Sequence, residues 1–380
     1  MLALLMVAVP SSRAQNEVVI HTFTGGTDGA NPYAGLVLDS KGSLYGTTVN
    51  GGGSSTCSGG CGTVFKVTSS YKESILYAFE GGTDGANPYG GLIRDPRGNL
   101  YGTTVDGGSY VGTVFEVTPG GVETLLHIFG SSSTGDGSVP YAGLLADPKG
   151  NLYGTTFSGG SCTTDGGCGT VFQVAPTGIE TVLYSFAGGT DASFPFCTMV
   201  WDTDGNLYGT TVFGGTYNQG AVFRASPSGT ETVLYSFTGG DDGGQPAAGL
   251  VRDPKGNLFG TTQKGGAFGN GTVFRITPTG NERVYYSFQG GADGELPSSS
   301  LILDSKGNLY GTTYQGGTPG YGTVFQISSD GTERVLYSFA GGTDGAGPVG
   351  GLVRDGRGNL YGTTYQGGAT GYGTVFKVTP

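Results

Sequence analysis

The residues of this chain that could do chemistry are acidic, aromatic and sulfur-bearing, and most of them recur at matching places. An Asp stands four residues before a Pro seven times, at Asp28, Asp84, Asp136, Asp191, Asp242, Asp293 and Asp344. A carboxylate in a Gly-rich loop can ligate a cation or accept bonds from sugar hydroxyls. It can equally cap its own turn, which is the commoner use of Asp there, and seven equivalent copies favour capping. The pattern is uneven in one place: Asp241 precedes Asp242, and the next such loop carries Asp293 and Glu295. Four carboxylates on neighbouring loops could supply oxygen ligands to Ca²⁺. By raising one another's pKa, Asp242, Asp293 and Glu295 could also furnish an acid/base pair. A solvated acidic patch is the plain alternative, and no EF-hand spacing strengthens the calcium reading. No other cofactor is expected.

A second group is aromatic. Tyr110, Tyr217, Phe268, Tyr321 and Tyr372 each stand near the tip of a Gly-rich loop. Exposed there, the rings would offer stacking faces to a pyranose beside carboxylates that accept its hydroxyl bonds. Folded down, they would pack on the loop glycines, and both placements stay open. The cysteines fall as Cys57 with Cys61 and Cys162 with Cys168, close enough for two local disulfides. Cys197 takes a position held by Ala or Gly in most copies and is expected as a buried free thiol. The two histidines, His21 and His127, lie inside strand-like runs and have no nucleophile motif beside them. Trp201 reads as packing between repeats or as a plug low in a channel.

These groups must be positioned by a repeat. N-L-Y-G-T-T, G-T-V-F and E-x-V-L-Y-S-F each recur seven times with small variations, and Tyr/Phe positions of the first, from Tyr45 to Tyr361, lie 51 to 56 residues apart. Each unit reads as four short strands, a to d, with β-branched and aromatic residues in the strands and Gly, Pro, Asn and Asp between them. The a–b turn D-x-x-G-N combines an Asp that bonds local backbone with a Gly. Four antiparallel strands at this period predict an all-β, seven-bladed propeller. A lone d-type run, Val18–Phe23, opens the chain and a lone a-b-c set closes it, so pairing them completes the seventh blade and removes an open edge. Strand order then puts the d–a and b–c loops on one face, with the Asp positions expected as a carboxylate ring near the channel mouth. The a–b turns, with Lys41, Arg97, Lys149, Lys255, Lys306 and Arg357, fall on the other face.

The 380 residues include 79 Gly, carry a formal charge of −11 and contain only 12% charged groups. That sign repels phosphate backbones and anionic lipid, so neither nucleic acid nor a membrane surface is an expected partner. Residues 1–14, with an apolar run from Leu2 to Val9 and small Ser12 and Ala14, read as a secretory leader. The remainder, 15–380, reads as a single propeller domain. No apolar run reaches spanning length.

The segments G-G-x-D-G-x-x-P, G-N-L-Y-G-T-T-x-x-G-G and G-T-V-F-x-V together resemble the GloVer tandem-repeat family of bacterial extracellular proteins with varied C-terminal anchors. The resemblance implies an exported protein and transfers no catalytic residue. No anchor segment is expected at the C-terminal end, Val378-Thr379-Pro380. The expectation is a monomeric, secreted or periplasmic, non-enzymatic module that binds carbohydrate through its loop face, with another surface protein as a further partner class. A glycan hydrolase or lyase using the acidic cluster, and a structural or adhesive surface protein, are the alternatives.

Overall fold

Inner strands buried on both faces, half-buried outer strands and glycine-rich corners generate the architecture. The computed structural model describes residues 16–107, 111–130, 135–162 and 166–380, so the leader at 1–14 lies outside the described residues. In the first blade, strand a is Val37–Leu38, b is Leu44–Thr48, c is Thr63–Val67 and d is Glu73–Ala78, hydrogen-bonded in that order. Seven such antiparallel sheets form a seven-bladed propeller. The last blade takes Val353–Arg354, Leu360–Thr364 and Thr374–Thr379 from the C-terminal end and Asn16–Thr22 from the N-terminal end. Asn16 pairs with Thr379, Val19 with Phe376 and Thr22 with Thr374. The ring closes as the framing of the repeat predicts.

Strand a is shorter than the sequence suggests. Its first residues bring backbones together at the propeller axis: a Cβ on Gly35 would lie 2.8 Å from the Gly351 carbonyl oxygen. That segment lines the channel instead of lengthening the sheet.

The core is repeated between blades. The Phe that follows strand d in one blade meets the Phe of strand c in the next, edge to face, at 5.0–5.1 Å in all seven junctions, from Phe23–Phe65 to Phe339–Phe376. Such pairs add specific geometry to a large apolar burial. The Gly of L-Y-G-T-T gives the ring its room: a Cβ on Gly46 would sit 2.6 Å from Phe65. In the a–b turns Asp39 Oδ1 accepts the Lys41 and Ser43 amides at 2.9 and 2.8 Å, while Oδ2 accepts the Tyr45 hydroxyl at 3.0 Å. Lys41, Arg97, Lys149, Lys255, Lys306 and Arg357 stand exposed in these turns.

Strand d carries a bulge in every blade. In the first, Val64 pairs with Tyr77 but Phe65 with Ile75, leaving Leu76 as the extra residue. Bulges bend an edge strand and re-aim its side chains. The residue after the bulge is Tyr in five blades and His21 or His127 in the other two. Its side chain reaches back over the d–a loop.

Candidate functional site

The repeated loop aspartates are held by their own turns. Asp84 Oδ2 accepts the Glu80 amide at 2.8 Å and the Tyr77 hydroxyl at 3.0 Å. Asp191, Asp242, Asp293 and Asp344 each accept an amide four residues earlier and the corresponding Tyr hydroxyl, the latter at 2.9 Å. Asp28 takes the Thr24 amide at 2.9 Å and faces His21; Asp136 takes the Gly130 amide at 2.7 Å and faces His127. This corrects the expected carboxylate ring at the channel mouth. Turn capping and the bulged strand d draw these groups outward, and none of them lines the central cavity.

The uneven acidic set does not gather either. Asp242 and Asp293 serve their separate turns, Glu295 accepts the Gly291 amide at 3.1 Å, and Asp241 is exposed. Of the loop aromatics, Tyr217, Phe268, Tyr321 and Tyr372 are exposed, as stacking requires. Tyr372 lies over Gly25 and Tyr321 over Gly341, where a Cβ would come within 2.6 and 2.5 Å of the ring. Each ring thus rests one face on glycine and keeps an exposed surface. Tyr110 lies outside the described residues.

A different set of residues forms the mouth. The position right after the loop Pro holds Tyr33, Tyr89, Tyr141, Phe196, Ala247, Ser298 and Val349 around the ring. The position after T-T adds Phe157, Gln263, Tyr314 and Tyr365. Ring contacts run continuously through one arc: Tyr365–Tyr33 at 5.9 Å, Tyr33–Tyr89 at 5.1 Å, Tyr89–Tyr141 at 5.3 Å and Tyr141–Phe196 at 4.7 Å. The other arc carries the smaller Ala247, Ser298 and Val349 with the Gln263 amide, and a single ring, Tyr314. Between them lies a cup of about 270 Å³, floored by Gly35, Gly91, Gly143, Gly249 and Gly351 with Thr198 and Ser300. Thr198 and Ser300 brace the floor by accepting the Gly143 and Gly249 amides at 3.1 and 2.9 Å.

No Asp, Glu, His, Lys or Arg lines the cup among the described residues. Burial, followed by the neighbouring phenols, pushes the Tyr33 pKa up to about 12, so its hydroxyl stays protonated and able to donate. Burial also raises Tyr89 and Tyr141, with Asp106 near enough to add to the shift. No hydrogen bond to another described residue occupies the hydroxyls of Tyr33, Tyr89, Tyr141, Tyr314 or Tyr365. The arrangement offers aromatic walls, free phenol donors and one amide to an uncharged polar ligand.

Cys57–Cys61 and Cys162–Cys168 are disulfides, and Cys197 is a buried thiol whose pKa is raised by burial. Non-reducing peptide mapping is expected to find those two bridges with Cys197 free; a bridge to Cys197 would contradict the arrangement. Trp201 stands edge-on to Tyr153 at 4.7 Å in a recess between the third and fourth blades, beside the a–b turn of Asp147 and Pro148. It packs between blades and does not plug the channel.

Fold and cup define a seven-bladed propeller with an uncharged aromatic cup on its d–a and b–c loop face. The chain belongs to the Gloeobacter/Verrucomicrobia repeat family, whose model matches residues 9–200, 53–256 and 197–380. Among solved structures it is similar to the extracellular domain of a B. thetaiotaomicron protein described as a one-component system, at 15% identity and a TM-score of 0.60. The match covers 96% of this chain but 42% of that one, so this chain spans about two fifths of its length. A Bacteroides uniformis protein described as a 6-phosphogluconolactonase matches at 15% identity over 87% of this chain and 89% of that one, with a TM-score of 0.49. No curated protein matches. At such identities the likeness concerns the fold. The two disulfides point to an extracytoplasmic protein, since cytosolic thiols are kept reduced. No described helix is long and apolar enough to cross a membrane.

Proposed function

We propose that this protein is a secreted or periplasmic, non-enzymatic binding module for neutral glycan, and that the channel-mouth cup is its principal site. The observation that carries the reading is the continuous aromatic arc, Tyr365 to Phe196, facing Ala247, Ser298, Val349, Gln263 and the single ring of Tyr314 across an uncharged floor. A pyranose has apolar faces to cover rings and a rim of hydroxyls for phenols and an amide, which is what such a cup offers. Sevenfold symmetry is broken here by side-chain size, as an asymmetric ligand requires. Exposed Tyr217, Phe268, Tyr321 and Tyr372 on the same face extend the surface for a longer chain. Among the described residues no carboxylate or imidazole lines the cup, which favours binding over hydrolysis, the alternative role.

The test is an array of neutral and acidic oligosaccharides, followed by titration of any hit. Tyr33→Ala and Tyr89→Ala are expected to weaken binding about tenfold or more each, the usual cost of truncating an aromatic anchor. Trp201→Ala, on the opposite face, should bind normally. An array without a neutral-glycan hit, or unchanged affinity in both Tyr variants, would overturn the reading.

A further inference from the structure

The seven blade junctions repeat one polar cluster beneath the d–a loop. Its members are the Tyr or His after the bulge, the loop Asp, and the Glu that begins strand d of the next blade. In five junctions a Tyr hydroxyl donates to the Asp at 2.9–3.0 Å. At the junction of the second and third blades His127 replaces Tyr. There the imidazole Nε2, a carboxylate oxygen of Asp136 and one of Glu180 all lie within 4.8 Å of one another. His127 Nε2 and Glu180 Oε1 are buried atoms without a hydrogen-bond partner. No other group of His, Cys, Asp and Glu converges this way among the described residues.

We propose that His127, Asp136 and Glu180 bind one divalent transition-metal ion of the zinc class, which clasps the second blade to the third. One imidazole nitrogen and two carboxylates suit Zn²⁺, whereas Ca²⁺ takes six to eight oxygens. Tetrahedral bonds of about 2.1 Å set ligand atoms about 3.4 Å apart. His127 Nε2 and Asp136 Oδ2 already stand at 3.5 Å, so small side-chain rotations of Glu180 complete the set. The His127 and Asp136 side chains are 16% and 18% exposed, so the cluster lies close to solvent. The site is independent of the glycan cup.

The test uses the tag-free full chain and titrates Zn²⁺ by calorimetry after treatment with chelator. Wild type is expected to bind one ion tightly, with a raised unfolding temperature, because a ligand that prefers the native state stabilises it. His127→Tyr restores the residue of five sister blades, so the fold should tolerate it, and the ion should bind about 100-fold or more weakly. Glu180→Gln is the second variant and should weaken binding alike, while His21→Tyr should leave it intact. A wild type that takes up no Zn²⁺ at 100-fold excess over protein, or a His127→Tyr or Glu180→Gln protein that keeps wild-type affinity, overturns the proposal. So does loss of the ion on His21→Tyr alone.

Discussion

Raising the pH from 5.5 to 8.5 without added metal should lower the unfolding temperature on the order of 10 °C. The cause is the junction cluster in its six copies outside the His127 site. Glu17, Glu73, Glu123, Glu231 and Glu282 are raised to about 7 and Glu333 to about 8, first by burial and then by the Asp beside each. A carboxyl whose folded pKa exceeds its unfolded value binds more protons in the native state. Its contribution is complete below the unfolded value, near 4.5, and is lost as pH rises through 7 to 8. Each Glu is partly solvated, so its share is discounted to about 1 kcal/mol, and the expected effect rests on repetition. The a–b turn aspartates act at the other end. Burial opposes their charge, yet turn amides and Tyr or Asn side chains hold Asp39, Asp147, Asp202, Asp304 and Asp355 below the ordinary range. Their contribution is lost as pH falls toward 3, so stability should peak in mild acid. Calorimetry across this range decides it, with Glu333→Gln, a mimic of the protonated acid, more stable than wild type at pH 8.5 but not at 5.5. A midpoint that is flat or rising from 5.5 to 8.5 would sink the idea.

The fold was legible because a period repeated seven times fixes strands, turns and ring closure together, and each local choice agrees with the others. The disulfides and the buried Cys197 thiol were legible for a similar reason: the cysteines depart from an otherwise regular pattern. The cup was not. Its walls come from single variable positions, the residue after a loop Pro and the residue after T-T, which read individually as turn and strand filler. Aligning the seven units on the Pro would have shown Tyr, Tyr, Tyr, Phe, Ala, Ser and Val, an asymmetry larger than the one at Asp241 and Glu295. The loop aspartates misled because strand order assigns a loop to a face but not a side chain to the channel or the rim. That choice depends on the bulge in strand d, which turns the Tyr hydroxyls toward them. In the sequence the Glu of E-x-V-L-Y-S-F is only the first residue of a strand d run. Only the twist of neighbouring blades places it under the d–a loop of the preceding blade, where its oxygen loses water and a partner together.

Removing residues 16–23 should leave no folded ring at 37 °C, because this one strand serves two junctions and a sheet edge. Asn16–Thr22 supplies the outer strand of the last blade, pairing from Thr379 to Thr374. Its Glu17 sits near Asp344 at the junction with the sixth blade, while Phe23 stacks on Phe65 at 5.1 Å in the junction with the first. Phe23 is fully buried, and truncating a buried Phe costs about 3–5 kcal/mol. Set against the typical total of about 5–15 kcal/mol, that loss plus an unpaired edge exhausts the stability of most domains. Point variants make the claim quantitative. Phe23→Ala and Phe79→Ala occupy equivalent junctions, one formed across the chain ends and one within continuous chain, so closure predicts equal costs. A permuted chain provides the rescue: moving residues 16–23 behind Pro380 through a short c–d turn should restore the wild-type midpoint. Chemical denaturation of these four proteins is sufficient. A stable deletion, or a Phe23→Ala cost far below that of Phe79→Ala, would mean that the terminal strand does not lock the propeller.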